Sequence, residues 1–142
     1  FPDGDRVIAT GNGSLPIWSA ASGQVLQVLE PPRLLQTAHR SVRVSPCGTF
    51  VVSGVSHANS TFGDPVLVWN VGSGEVMHTL WHPNQDRIQS MELSPCGTRL
   101  VTGGYEGVFL WDPFRGELLH ELGGIGPQAW IAAVSRHGAR VF

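Results

Sequence analysis

Short apolar stretches alternate with turn residues along the whole chain, and within the stretches the alternation has a period of two. Ile88–Ser94 (IQSMELS) alternates apolar and polar positions, as a half-buried strand does. Val108–Asp112 (VFLWD) is apolar at consecutive positions, which predicts a strand covered on both faces. Between them, Pro95-Cys96-Gly97-Thr98 reads as a tight turn, because proline presets φ and glycine accepts a positive one. Arg99–Thr102 and Glu117–Leu122 complete a set of four strands. The same order is predicted upstream at Ser41–Ser45, Phe50–Ser53, Val66–Asn70 and Glu75–Leu80. Before that come Arg6–Thr10, Leu15–Ser19 and Gln24–Leu29, and Trp130–Ser135 with Arg140–Phe142 opens a further unit. The 18 glycines and 10 prolines fall every few residues, so no helical pattern of useful length survives.

The units repeat in detail. Trp18, Trp69 and Trp111 are each followed five residues later by a glycine, Gly23, Gly74 and Gly116. Each of those opens a similar phrase: Gly23-Gln24-Val25-Leu26, Gly74-Glu75-Val76-Met77 and Gly116-Glu117-Leu118-Leu119. Ahead of each tryptophan stands a proline-led turn: Pro2-Asp3-Gly4, Pro46-Cys47-Gly48 and Pro95-Cys96-Gly97. A degenerate fourth copy is Arg136-His137-Gly138. The turn glycines lie 44, 49 and 41 residues apart. A period of roughly 40–50 residues built from short strands describes the blades of a propeller.

On these residues the chain resembles the WD-repeat β-propeller family. Trp111-Asp112 matches that family's dipeptide in full, while Trp69-Asn70 and Trp18-Ser19 keep its tryptophan. Phe1-Pro2-Asp3-Gly4 keeps the family's Pro-Asp-Gly turn; Ser45-Pro46-Cys47-Gly48 and Ser94-Pro95-Cys96-Gly97 put cysteine at the acid's place. The resemblance implies an all-β fold, a propeller fragment of about three four-stranded antiparallel blades within a larger, seven-blade ring. Blade one is expected to supply three strands over 1–30, blade two to span 37–80, blade three 87–122, and a next blade to start at 128–142. Trp18, Trp69, Trp111, Asp112, Gly48 and Gly97 are the expected structural residues. The family's histidine, which bonds to a turn acid, a strand hydroxyl and the tryptophan, has His82 near its place, with Thr102, Glu106 and Trp111 able to complete a weakened network. The second repeat offers His39, Ser53 and Trp69, with His39 displaced, so the network is not expected to be intact in any blade.

Composition narrows the function classes. Apolar residues make up 42% of the 142 and charged ones 14%, which is globular composition. The net charge of −2 gives no general attraction to nucleic acid or anionic membrane. All nine basic residues are arginine, a bias read as coding composition. Cys47 and Cys96 occupy equivalent turns, too far apart to bridge, and read as free thiols of a reducing compartment. The triplets at Asn12 and Asn59 are expected to stay unglycosylated.

Candidate chemistry is sparse. His39, His57 and His82 come from loops of different length without metal-ligand spacing, so no metal and no cofactor are expected. His78 and His120 fall on outer strands, where a polar side chain discourages edge-to-edge pairing. No nucleophile motif, phosphate-cradling loop or carboxylate pair stands out, and the segment is read as non-catalytic. The adaptor phrase Trp-Asp-x-Arg is missed by one place at Trp111-Asp112-Pro113-Phe114-Arg115. One rim is expected from the connections Glu30–Ala38, Gly54–Pro65, Trp81–Arg87 and Gly123–Ala129, the second being the longest of its kind. Arg33, His57, Phe62, Trp81, Arg87, Tyr105 and Trp130 would gather there, and aromatic and arginine side chains are the usual anchors of protein interfaces. The reading is an intracellular scaffold, cytoplasmic and open to cytoskeletal, ciliary or nuclear assemblies. It would bind other proteins and the remaining blades of its own chain, but no membrane. The alternatives are a nucleic-acid-associated propeller, for which Arg33, Arg40 and Arg43 form the one local cluster, and the non-catalytic part of a larger enzyme.

Overall fold

The computed structural model describes residues 1–33, 38–56, 63–83 and 87–122. Within them the chain forms three antiparallel sheets and no α-helix. Strands β1 (Arg6–Ile8), β2 (Leu15–Ser19) and β3 (Val25–Leu29) make the first sheet, in that order. Strands β4 (Ala38–Val44), β5 (Phe50–Ser56), β6 (Val66–Asn70) and β7 (Val76–Leu80) make the second. Strands β8 (Ser90–Leu93), β9 (Leu100–Gly103), β10 (Val108–Asp112) and β11 (Glu117–Leu122) make the third. Each is an up-and-down meander, which short turns between consecutive strands dictate. The fourth unit predicted at 128–142 lies outside the described residues.

The sheets stack by interleaving opposite faces. On β6, Leu67 and Trp69 point one way and Val66 and Val68 the other, as strand pleating requires. Leu67 and Trp69 join Leu15, Ile17 and Leu29 of the first sheet in one buried cluster. Val66 and Val68 join Phe109 and Trp111 of the third sheet in another. The tryptophan faces of the second and third sheets therefore each meet the opposite face of the sheet before. Trp69 is wholly buried and Trp111 is 4% exposed. Trp18 belongs to the same face of the first sheet, which no other described sheet covers; it is only half-buried. Val7, paired with Trp18, and Val25, its other neighbour, share that face and stay exposed. Burying a large apolar side chain contributes about 1.5–3 kcal/mol, so the two filled seams are the main source of cohesion.

A bulge precedes Trp18, Trp69 and Trp111. The register shifts between Ile17 and Trp18, between Val68 and Trp69, and between Leu110 and Trp111. The skipped residues are Leu26, Met77 and Leu119, and the slip brings Val25, Val76 and Leu118 opposite the indoles.

The turns at one end tile across the sheets. Gly97 has φ +75°, and a Cβ built there would lie 3.0 Å from Pro46 Cδ of the preceding turn. Gly48, at φ +70°, stands in the same relation to Pro2, at 3.2 Å. Glycine is required at both places by conformation and by the neighbour's proline. In each of these turns the serine closes the loop: Ser45 Oγ accepts from Phe50 N at 3.1 Å and Ser94 Oγ from Arg99 N at 3.0 Å.

Several strand limits depart from the sequence reading, β1 ending at Ile8 and β8 starting at Ser90 among them, and two of the departures bear on the rim. β4 begins at Ala38 and β5 runs on to Ser56, so Gly54, Val55 and Ser56 belong to a strand and not to the long loop. Ala38 pairs with Ser56 and His39 with Val55, and a bulge between His39 and Ser41 takes up the extra residue. The backbone groups of 54–56 gain ladder partners that a loop would deny them.

Candidate functional site

The opposite end of the sheets carries a buried polar device in two of the three blades. Trp69 Nε1 donates to Ser53 Oγ at 2.8 Å, and the same hydroxyl meets His39 Nδ1 at 3.1 Å. Trp111 Nε1 donates to Thr102 Oγ1 at 2.8 Å, and that hydroxyl meets His82 Nε2 at 2.6 Å. Each hydroxyl accepts the indole N–H and still has both a proton and a lone pair with which to bond the imidazole nitrogen. The hydroxyl and indole bonds of that network are therefore made in both blades. His39, out of place by count, is restored by the bulge at the start of β4, and it bonds through the ring nitrogen opposite to the one His82 uses. In the first sheet Ala9 stands where Ser53 and Thr102 stand in the others, so that blade has no hydroxyl for Trp18.

His39 and His82 are both 4% exposed. Burial pushes the His39 pKa below the ordinary 6.5, with the Gly13 backbone working the other way. Burial thus favours the neutral ring. Asp64, at the entry to β6, is buried as well. The sequence offered it only as one carboxylate scattered among loops.

Above this buried layer lie the rim residues. Trp81 precedes His82 directly and is 44% exposed; Tyr105, in the turn closed by Gly104 N to Gly107 O, is 46% exposed. Arg87 is exposed on the connection into β8, and Arg33 is exposed on the connection between the first two sheets. Trp81, Arg87 and Tyr105 therefore serve the third blade's end, while Arg33 serves the junction of the first and second. His57, Phe62 and Trp130 lie outside the described residues. Of the three histidines weighed for metal binding, His39 and His82 are engaged in separate blades by Ser53 and Thr102. Among the described residues no group of three His, Cys, Asp or Glu side chains could hold a metal ion.

The residue after each tryptophan has one job in all three blades. Asp112 Oδ1 accepts from Phe114 N and Arg115 N at 3.0 and 3.1 Å, Asn70 Oδ1 from Ser73 N at 3.0 Å, and Ser19 Oγ from Ser22 N at 3.2 Å. Any short acceptor closes this turn, which explains why the dipeptide varies. Asp112 also lies 4.0 Å from Arg99 Nη1.

His78 has a different role from the one expected of it. Its Nε2 donates to the Phe114 carbonyl at 2.8 Å, so it fastens the second blade to the third. The bulge in β7 turns it with Val68 toward the next sheet, a rotation that counting from the tryptophan does not reveal. His120, at the equivalent place, is exposed. Arg43 of β4 and Glu92 of β8 add an ion pair at 3.1 Å between the same two blades. Being 44% and 40% exposed, it contributes little.

Both cysteines are free and exposed. Cys96 Sγ lies 3.4 Å from Ser94 Oγ and 3.0 Å from Thr98 Oγ1. These hydroxyls, helped by the Thr98 backbone, lower the Cys96 thiol to about 7, and Ser45 and Thr49 lower Cys47 in the same direction.

Comparison with known proteins agrees with this geometry. Residues 74–112 match the family model described as "WD domain, G-beta repeat". The chain is also similar to "WD repeat, SAM and U-box domain-containing protein 1" of Danio rerio, 29% identical over 89 residues. Those residues are 62% of this chain and 17% of that relative, so the chain spans a small part of the relative's length. The turns, the indole–hydroxyl–imidazole relays and these likenesses agree: residues 74–112 match a WD repeat, the chain is similar to a WD-repeat protein, and its three sheets are those of a partial β-propeller.

Proposed function

We propose that this chain, as WD repeats generally do, mediates protein–protein interaction, serving as a non-catalytic scaffold within an intracellular multiprotein assembly and using the rim at the end of the blades that carries the histidine relays. The observation that carries the proposal is the exposure of Trp81 and Tyr105, 44% and 46%, on connections that adjoin His82 and the Thr102 strand, whose side chains are tied together in the buried relay. Exposed aromatic side chains on rigid supports lose little entropy on binding and suit the centre of an interface. The exposed first face supports a second part of the proposal, that further blades of the same kind complete a ring against Trp18. Val7 at 49%, Val25 at 55% and Val28 at 41% line that face with apolar surface. The nucleic-acid reading is weaker, since Arg43 of the Arg33, Arg40 and Arg43 cluster is paired with Glu92.

The test is affinity capture with the wild-type chain and with a Trp81→Ser, Arg87→Ala variant, alongside thermal unfolding of both. The expected result is a set of proteins held by the wild type and lost from the variant at unchanged Tm. Equal recovery by a folded variant removes the rim from the account.

A further inference from the structure

Both seams between blades are packed along their length, yet at the turn end one is closed by aromatic rings and the other is open. At the seam of the second and third sheets, the Phe114 ring stands edge-on to Phe50, with centroids 4.8 Å apart and planes at 68°. The His78 imidazole donates to the Phe114 carbonyl beside it. Strand register fixes the matching places at the seam of the first and second sheets. Arg6 pairs with Ser19 as Phe50 pairs with Asn70, so Arg6 replaces Phe50. Gln27 pairs with Ile17 as His78 pairs with Val68, so Gln27 replaces His78. Gly72, two residues after Asn70, replaces Phe114, two residues after Asp112. Removal of both rings leaves a cleft of about 560 Å³, lined by Arg6, Gln27, Gly48, Thr49, Asn70 and Gly72 among others.

We propose that this cleft binds an aromatic side chain of a partner polypeptide, seated as Phe114 is seated one blade further on. Its volume falls within the roughly 300–1,000 Å³ of ligand clefts. Its walls present what such a guest needs. The Arg6 guanidinium already stacks 4.3 Å over the Phe1 ring, so the group takes an aromatic face in this setting. It also reaches into the cleft, with its Nη2 3.4 Å from a Cβ built on Gly48. The Gln27 amide stands against Gly74 as the His78 ring stands against Gly116, with built Cβ distances of 2.9 and 2.7 Å. It is therefore placed to donate to the guest's backbone carbonyl, the bond that His78 gives Phe114. The cleft lies at the turn end of the blades, away from Trp81 and Tyr105, so it is a second contact independent of the rim.

The probe is N-acetyl-phenylalaninamide, titrated into the isotopically labelled chain and followed by amide NMR. The expected result is saturable shifts at Gly48, Asn70, Gly72 and the Gln27 side-chain amide, in the roughly millimolar range of a single side chain. N-acetyl-leucinamide, which has no ring to stack, should bind about threefold more weakly or less. Gly72 has an ordinary φ, so Gly72→Phe is tolerable in backbone terms and should fill the cleft and abolish the shifts. Should that variant fail to fold, Phe114→Ala supplies the second arm: it should create a new saturable site at Phe50 and His78. The proposal is overturned by absence of saturation in the wild type, by unchanged binding to a folded Gly72→Phe variant, or by a Phe114→Ala chain that gains no site.

Discussion

Trp111 Nε1 donates a hydrogen bond to Thr102 Oγ1 at 2.8 Å, although nine residues and a strand reversal separate them. The same hydroxyl receives His82. Replacement Thr102→Val keeps the shape and orphans two buried nitrogens. Leaving a buried polar group unsatisfied costs about 1–3 kcal/mol, so urea unfolding should show a loss of that order. Thr102→Ser retains the hydroxyl and should recover most of it. Equal stability of the Val variant and the wild type would remove the relay from the stabilising interactions.

The pH dependence follows from His39. Its folded pKa lies below the unfolded 6.5, because burial penalises the charged ring. The unfolded chain then binds more protons in the window just below 6.5, and stability falls as pH drops through it. Above that window the contribution is complete. Unfolding free energies measured between pH 7.5 and about 5 should decline, and His39→Gln should flatten the decline.

Thiol chemistry tests the turn geometry. Cys96 is lowered to about 7 by the Ser94 and Thr98 hydroxyls. Its alkylation by iodoacetamide should therefore be half-maximal near pH 7, since the thiolate is the nucleophile. Double replacement Ser94→Ala, Thr98→Val should move the midpoint upward toward that of an ordinary thiol. A midpoint unmoved by the double replacement would deny the hydroxyls their role.

Glycine replacements separate strain from crowding. Gly4 and Gly97 share φ +75°, but a Cβ at Gly4 meets nothing within 4 Å while one at Gly97 meets Pro46 Cδ at 3.0 Å. Gly4→Ala should cost only the left-handed conformation, about 1 kcal/mol. Gly97→Ala should cost more, because it also presses on the preceding turn. Equal losses in thermal unfolding would mean that the turns do not tile.

Most of the fold was legible because local and global signals agree. The proline-led turns, the bulged tryptophan strand and the closing glycine each have a conformational cause within five or six residues, so repetition alone located them. What stayed hidden depends on register. His39 looked displaced because a bulge in β4 restores it only when Ser41 pairs with Gly54. His78 looked like an edge residue because a bulge at Met77 decides which face it joins. Trp18 looked equal to its repeats, yet its burial depends on a neighbouring sheet and not on its own strand. The open seam was illegible for the same reason: Gly72 and Arg6 gain meaning only beside Phe114 and Phe50.

The central claim is that the Trp69 and Trp111 faces each meet the sheet before their own. Nuclear Overhauser contacts from the Trp69 and Trp111 indoles test this most directly. Trp69 should contact methyl groups of Leu15, Ile17 or Leu29, and Trp111 those of Val52, Val66 or Val68. Contacts from Trp69 to the third sheet, or indole protons exchanging freely with water in both residues, would contradict the stacked-blade account.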